Sequence, residues 1–246
     1  MYPEEEYVTG DADSRPKPAI LCLHGGGTNA MIFNIQTIRI QRVLGPYFEF
    51  VFVESPQEGA PGPDVIPVFE GMEPYRRWHF DHVKSAQTIA TLQDAMDEQK
   101  RKDGRGFVGA LGFSQGAMAV SGLLLEQQAR ERKEGGDDGT GLAFAVLFNG
   151  TYPPLTAGLT DEEQEERIRV PSLHVIGTED PYRENGMTLF EEYFDPKTAS
   201  MIEFKVGHRL PVLENDTAKV ANEILRMYAE AEGKRQTDPE ALAKFA

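Results

Sequence analysis

Phe107-Val108-Gly109-Ala110-Leu111-Gly112-Phe113-Ser114-Gln115-Gly116-Ala117-Met118-Ala119-Val120 is the stretch on which the fold turns. Its first five residues form an apolar run of strand length, and Ala117 through Gln128 has the composition of a helix. Between them stands G-x-S-x-G, a sharp strand-to-helix turn that lifts a serine hydroxyl above the edge of a sheet. Such a turn strains the serine backbone and brings strand and helix close together. The positions two before and two after Ser114 must therefore be small, and both are glycine. Five residues alone decide little; the reading depends on finding an acid, a base and oxyanion donors elsewhere in the chain.

Two later segments supply the acid and the base. Pro171-Ser172-Leu173-His174-Val175-Ile176-Gly177 reads as a short buried strand that breaks at its glycine, and Asp180 follows three residues on. Met201 to Val206 places apolar residues on one face and then breaks into Gly207-His208. The chain order Ser114, Asp180, His208 is that of α/β-hydrolases and of no other serine-hydrolase fold. Acid and base each lie just past the C-terminal end of a strand, where open α/β sheets place their reactive groups. A fourth segment, Ala19-Ile20-Leu21-Cys22-Leu23, is a compact strand ending in His24-Gly25-Gly26-Gly27-Thr28-Asn29. A tetrahedral intermediate needs backbone N–H groups aimed at its oxyanion. The amide of Gln115 and that of Gly26, on a loop whose glycines allow close approach, are the expected donors.

The expected fold class is α/β: an α/β-hydrolase with a mostly parallel central sheet flanked by helices and a short Pro-rich lid-like insertion. Residues 1–17 read as an acidic arm, 18–229 as one domain and 230–246 as a polar tail. Within the domain, Met31 to Leu44 reads as one helix and Phe48 to Val53 as a strand. Ser55 to Phe80 is broken by Pro56, Pro61, Pro63, Pro67 and Pro74 and carries Val65, Ile66, Val68, Phe69, Met72 and Trp78. It is expected to lie over the serine, with Phe69 and Trp78 as candidate substrate contacts. His82 to Lys102 reads as an amphipathic helix with Ile89, Leu92 and Met96 facing the core, and Arg130 to Gly141 as a solvated loop. Leu213 to Tyr228 is the closing helix, with a further short helix possible from Thr237-Asp238-Pro239.

Composition narrows the function. A chain of 246 residues with 40% hydrophobic content can bury one sizeable core, and its formal charge of −15 argues against nucleic acid. No apolar run has the length of a membrane span, and the acidic start Met1-Tyr2-Pro3-Glu4-Glu5-Glu6 is unlike a secretory signal. The single cysteine, Cys22, is expected to be an inert packing residue, and the simplest compartment is a reducing cytoplasm. No zinc-like spacing or dinucleotide fingerprint occurs, so neither metal nor cofactor is expected. Of the five histidines only His208 has a catalytic context. His24 belongs to the glycine loop, His79 and His82 suit loop packing, and His174, inside a strand, is expected to be hydrogen-bonded.

These residues resemble the fungal FSH-type serine hydrolase family. The match is carried by Leu21-Cys22-Leu23-His24-Gly25, Phe33, Phe50 to Pro56, Trp78, Gly112 to Gly116, Gly177 to Asp180 and Gly207-His208, between Ala19 and Met227. One departure is Val206, where family members often carry a second glycine before the histidine. Gly62 to Phe69 and Pro74 to Trp78 look like the branch of free-standing thioesterases that release polyketides, the lovastatin-pathway type. The resemblance implies Ser114 as nucleophile, His208 as base and Asp180 as its orienter. It also implies an acyl thioester as substrate, delivered by the carrier protein of a polyketide synthase. Arg39, Arg42, Arg76 and Arg77 are the basic residues expected to meet such an acidic carrier. A general carboxylesterase for small esters and a non-catalytic binding module on the same fold are the rival readings.

Overall fold

The apolar runs read from the sequence become neighbouring strands of one sheet. The structure, a computed structural model, describes residues 16–63, 65–78, 86–135, 141–156 and 159–237. In chain order the elements are β1 (Ala19–Leu23), α1 (Ala30–Gln36), α2 (Ile38–Leu44), β2 (Glu49–Val53), β3 (Gln57–Glu58), β4 (Arg76–Arg77), α3 (Ala86–Asp103) and β5 (Phe107–Phe113). They continue as α4 (Gln115–Glu134), β6 (Phe144–Phe148), α5 (Asp161–Gln164), β7 (Ser172–Gly177), α6 (Arg183–Tyr193), β8 (Ala199–Phe204) and α7 (Glu214–Thr237).

Six strands pair in the order β2-β1-β5-β6-β7-β8, every neighbour parallel. Residues of β1, β5, β6 and β7 are buried throughout, as a parallel sheet covered on both faces requires. Alternate residues serve two cores. Ala19, Leu21 and Leu23 face the layer of α3, α4 and α6, whereas Ile20 and Cys22 face that of α1, α2 and α7. From β1 the chain steps to β2 on one side, then returns to lay β5 on the other. That reversal is a topological switch point, and the crevice outside its C-terminal strand ends is where such sheets bind ligands. The glycine loop after β1 and Ser114 after β5 both stand there.

Several boundaries differ from those expected. The single helix over Met31 to Leu44 is two, divided at Thr37, whose hydroxyl donates to the carbonyls of Phe33 and Asn34 and closes the turn locally. Asn29 caps α1 by accepting the Ile32 amide at 2.8 Å. Arg130 to Glu134, expected as loop, continues α4 to a left-handed cap at Gly135. Buried Gln127 and Gln128 hold this helix by bonding across to Leu142, Arg167 and Arg169. Helix α7 runs on through Thr237, into the segment expected as a tail. Most of the acidic arm, His79, His82, the centre of the loop after α4 and the short helix expected around Pro239 lie outside the described residues.

The Pro-rich insertion folds down beside the glycine loop. Strands β3 and β4 pair antiparallel, and Gly27 and Thr28 exchange backbone hydrogen bonds of 2.7 Å with Arg76. Asn29 donates to the carbonyls of Met72 and Pro74. Val65 and Tyr75 are buried against Ile32, with Phe69 and Met72 packed on them. The segment is thus a wall stitched to the loop after β1. No helix among the described residues is long and apolar enough to cross a membrane.

Candidate active site

Ser114 sits between β5 and α4 with φ 53° and ψ −114°, in the region that side-chain-bearing residues rarely occupy. Its amide donates to the Phe148 carbonyl at 2.9 Å, which fixes the turn against β6. The need for small flanks is met literally. A Cβ on Gly112 would lie 2.5 Å from the Gly116 carbonyl oxygen, and one on Gly116 would lie 2.1 Å from that of Leu23. Strain of this kind costs about 1–3 kcal/mol and persists only where surrounding structure over-determines it.

The acid and base meet as their chain order implies. His208 Nδ1 lies 2.7 Å from Asp180 Oδ2, and the second carboxylate oxygen accepts the Tyr182 amide at 2.7 Å. Asp180 is buried, which strengthens both bonds. The His208 ring stands between Phe113 and Tyr182, with centroids 5.0 and 5.2 Å away. Because the carboxylate takes Nδ1, Nε2 is the nitrogen left to exchange a proton. Ser114, Gln115 and His208 line one cavity, though no hydrogen bond joins the serine hydroxyl to the ring among the described residues. Val206 is buried, and its carbonyl accepts the Glu179 amide at 3.1 Å, tying the loop of the base to that of the acid.

The sequence reading missed Asn149. This residue ends β6 at φ 43°, a conformation asparagine tolerates better than most residues. Its Oδ1 accepts the Gly177 amide at 2.8 Å, while Nδ2 donates to the Arg209 carbonyl at 3.0 Å and reaches that of Gly207 at 3.5 Å. One buried side chain therefore joins the end of the acid-bearing strand to both neighbours of His208. An Asn-Gly pair directly after a buried strand was the available signal.

The glycine loop lies opposite. Gly26 and Gln115 both line the cavity, and a Cβ on Gly26 would collide with the Gln115 side chain at 2.5 Å. The Gly26 amide donates to no described backbone carbonyl. His24 is fully buried beneath the loop. Its Nε2 accepts the Ser55 amide at 3.1 Å, so Nδ1 carries the proton and donates to the Gly25 carbonyl at 2.8 Å. These two bonds fix the start of the glycine loop against the end of β2.

The cavity encloses about 970 Å³. Phe69 lines it together with Ile35, Ile38, Val65 and Val68. Trp78 does not. It is wholly buried, its indole N–H donating to the His24 carbonyl at 2.8 Å, and its expected place against substrate is corrected to a support under the glycine loop. A proline-bearing approach and an aromatic ring look alike in sequence whether the ring faces a ligand or the core. His174 also departs from expectation. Its Nε2 is buried without a hydrogen-bond partner among the described residues, and its ring packs edge-on to Phe190 and Phe194. Burial lowers its pKa to about 3 and keeps it neutral. Burial also pushes the Cys22 thiol up, in keeping with an inert residue. No group of acidic, histidine or cysteine side chains among the described residues could hold a metal.

The model of one protein family, the serine hydrolases FSH1, matches residues 14–220. The chain belongs to that family. It is 33% identical to thioesterase FSL2 of Gibberella zeae over 87% of this chain and 94% of that one. It is 35% identical to the probable esterase tazC of Aspergillus terreus over 89% and 96%. Among solved structures, esterase PE8 superposes with a TM-score of 0.59 at 18% identity, covering 87% and 94% of the two chains. Acyl-protein thioesterase 2 of Zea mays gives 0.57 at 16% identity over 88% and 96%. These two likenesses establish the α/β-hydrolase fold, and the family membership makes the chain a serine hydrolase.

Proposed function

We propose that this serine hydrolase cleaves acyl thioesters or esters through an acyl-Ser114 intermediate, and that it releases a polyketide acyl chain from a carrier protein in trans. The observation that carries the reading is the convergence of Ser114, the Asp180-bound His208 and the Gly26 loop on one cavity with an apolar wall. The relatives named thioesterase and esterase support the reaction class. A cytoplasmic setting belongs to the same proposal.

His208 Nε2 takes the Ser114 proton as Oγ attacks the acyl carbonyl carbon, a contact that is often long before substrate arrives. The carbonyl oxygen becomes an oxyanion that accepts hydrogen bonds from the amides of Gly26 and Gln115. Losing one such donor typically costs ~3 kcal/mol of barrier. Collapse breaks the bond to the leaving thiol or alcohol, which receives the proton from His208. Water then repeats the sequence on the acyl-serine and frees the acid. Asp180 holds the ring in the tautomer this requires and stabilises the imidazolium. A thiolate leaves more readily than an alkoxide, so a thioester asks less of the acid step.

A fluorophosphonate probe followed by mass spectrometry tests the site. Labelling is expected at Ser114, absent in Ser114→Ala and strongly slowed in His208→Ala. A labelled residue other than Ser114 sinks the assignment. A panel of acyl thioesters and oxygen esters then separates the thioesterase from a general carboxylesterase. Long acyl thioesters turned over faster than short esters support release of a bulky chain; the reverse order assigns the carboxylesterase.

A further inference from the structure

The cavity carries a charge opposite to that of the molecule around it. The chain has 40 acidic and 25 basic residues. Yet three arginines, Arg39, Arg77 and Arg209, line the cavity, and no aspartate or glutamate among the described residues does. Several arginines elsewhere are held by carboxylates, Arg105 by Glu232, Arg132 by Glu166, Arg183 by Glu203 and Arg226 by Glu223 and Glu230, whereas Arg42, Arg101 and Arg130 on the outer surface enter none of the ion pairs among the described residues. Even Arg76, beside the cavity in sequence, faces Glu54 and Glu58 and donates to the Ser55 and Pro56 carbonyls. Arg39 and Arg209 are exposed and enter none of the ion pairs among the described residues, while Arg77 donates to the Ala60 carbonyl at 3.2 Å. Asp64, between the lining residues Pro63 and Val65, lies outside the described residues.

The three cations reach the cavity from separate elements. Arg39 is on α2, Arg77 on β4, and Arg209 directly follows His208. A cleft lined by one sign of charge focuses its field and raises the local concentration of ligands of the opposite sign. In a molecule of net charge −15, a cavity whose described lining carries arginines and no carboxylate is the place suited to admit an anion.

We infer that the cavity selects acyl substrates bearing a negative charge, with Arg39, Arg77 and Arg209 as its counter-ions and Ile38, Val65 and Phe69 against the acyl chain. The charge is a phosphate on the thiol-bearing arm or a carboxylate on the acyl chain. This selectivity rests on the hydrolase reading of the same site, but not on the choice between thioester and oxygen ester.

Two matched substrate pairs test it at low ionic strength. Octanoyl-pantetheine is compared with octanoyl-4′-phosphopantetheine, and p-nitrophenyl octanoate with mono-p-nitrophenyl suberate. At least one anionic member is expected to exceed its neutral match in kcat/KM by about tenfold, the lower range for focusing by a charged cleft. The pair that shows the gain identifies the source of the charge. The ratio of anionic to neutral turnover should fall toward one in Arg39→Gln/Arg209→Gln, and in salt of about 0.5 M. It should persist in Arg226→Gln, which replaces an arginine away from the cavity. Turnover of the neutral members with no gain in either anionic one overturns the inference. Hydrolysis of the oxygen esters alone removes the thioesterase reading and leaves the suberate pair to judge the charge. If none of the four substrates reacts and Ser114 takes no fluorophosphonate, the hydrolase reading and this inference fall together.

Discussion

Asn149 joins three strand ends with one side chain, and its removal shows what positioning contributes to the site. Asn149→Ala deletes the acceptor of the Gly177 amide and the donor to the carbonyls on either side of His208. Leaving such buried groups unpaired costs about 1–3 kcal/mol of stability. A displaced base costs more in rate: kcat should fall by roughly 100-fold, the scale for misplacing a reacting group by about 1 Å. KM should move much less, because the acyl-binding wall is untouched. Asn149→Asp keeps the acceptor but turns an oxygen toward the two carbonyls, so it should be no better than alanine. Unchanged kcat in the alanine variant would rule out a positioning role. His174 predicts a pH effect on stability. Its folded pKa of about 3 lies below the ordinary value of about 6.5, so in acid the unfolded chain binds a proton that the folded one refuses. Its contribution to stability is therefore complete above pH ~6.5 and declines as pH falls toward ~3, by about 2 kcal/mol between pH 7 and 5. His174→Leu removes the unpaired nitrogen and should flatten that part of the profile. Urea melts of both proteins at the two pH values measure the difference, and parallel losses would refute the assignment.

At the level of elements, the strands were legible because a parallel sheet buried on both faces writes each strand as a continuous apolar run. Ala19 to Leu23 has the same bounds in sequence and structure, and the strand read from Pro171 to its break at Gly177 begins one residue later, at Ser172. The turn at Ser114 was equally legible, since its geometry leaves no room for a Cβ at the flanking glycines. Helix limits were not. The break at Thr37 depends on one hydroxyl turning back to its own helix, and the extension of α4 on glutamines that look like surface residues until their partners across the chain are known. Trp78 and His174 failed for the same reason: which way a side chain faces is set by tertiary neighbours. Asn149 was missed because its partners are backbone groups from two distant segments. The elbow itself carries a sharp prediction. Gly116→Ala places a methyl 2.1 Å from the Leu23 carbonyl oxygen, and since that atom belongs to a central strand the helix must move instead. The cost should be at least about 1–3 kcal/mol, the scale of overpacking, with loss of Ser114 labelling even in the folded fraction. A variant with native melting temperature and labelling rate would mean that β1 and α4 do not approach this closely.

For the whole molecule the decisive quantity is the formal charge of −15. Folding compresses that excess from an expanded coil into a sphere of radius roughly 20 Å, so self-repulsion opposes the native state. The opposing term is a set of ion pairs, most with a partner substantially exposed, such as Lys102 with Glu49 and Arg226 with Glu230. Pairs of this kind are worth about 0–1 kcal/mol each, and salt weakens them. Their reach is a few ångströms, whereas the repulsion acts across the molecule. Raising ionic strength from about 0.01 to 0.15 M shortens the Debye length from ~30 to ~8 Å, well below that radius. Repulsion is therefore screened more completely than the short-range attractions, and the balance should favour the folded state by a few kcal/mol. The melting temperature should rise by roughly 5 °C between those two sodium chloride concentrations. A flat or falling melting temperature would show that the ion pairs outweigh the excess charge. In that case the protein's acidity would be locally compensated, and the unpaired arginines of the cavity would stand out still more sharply against it.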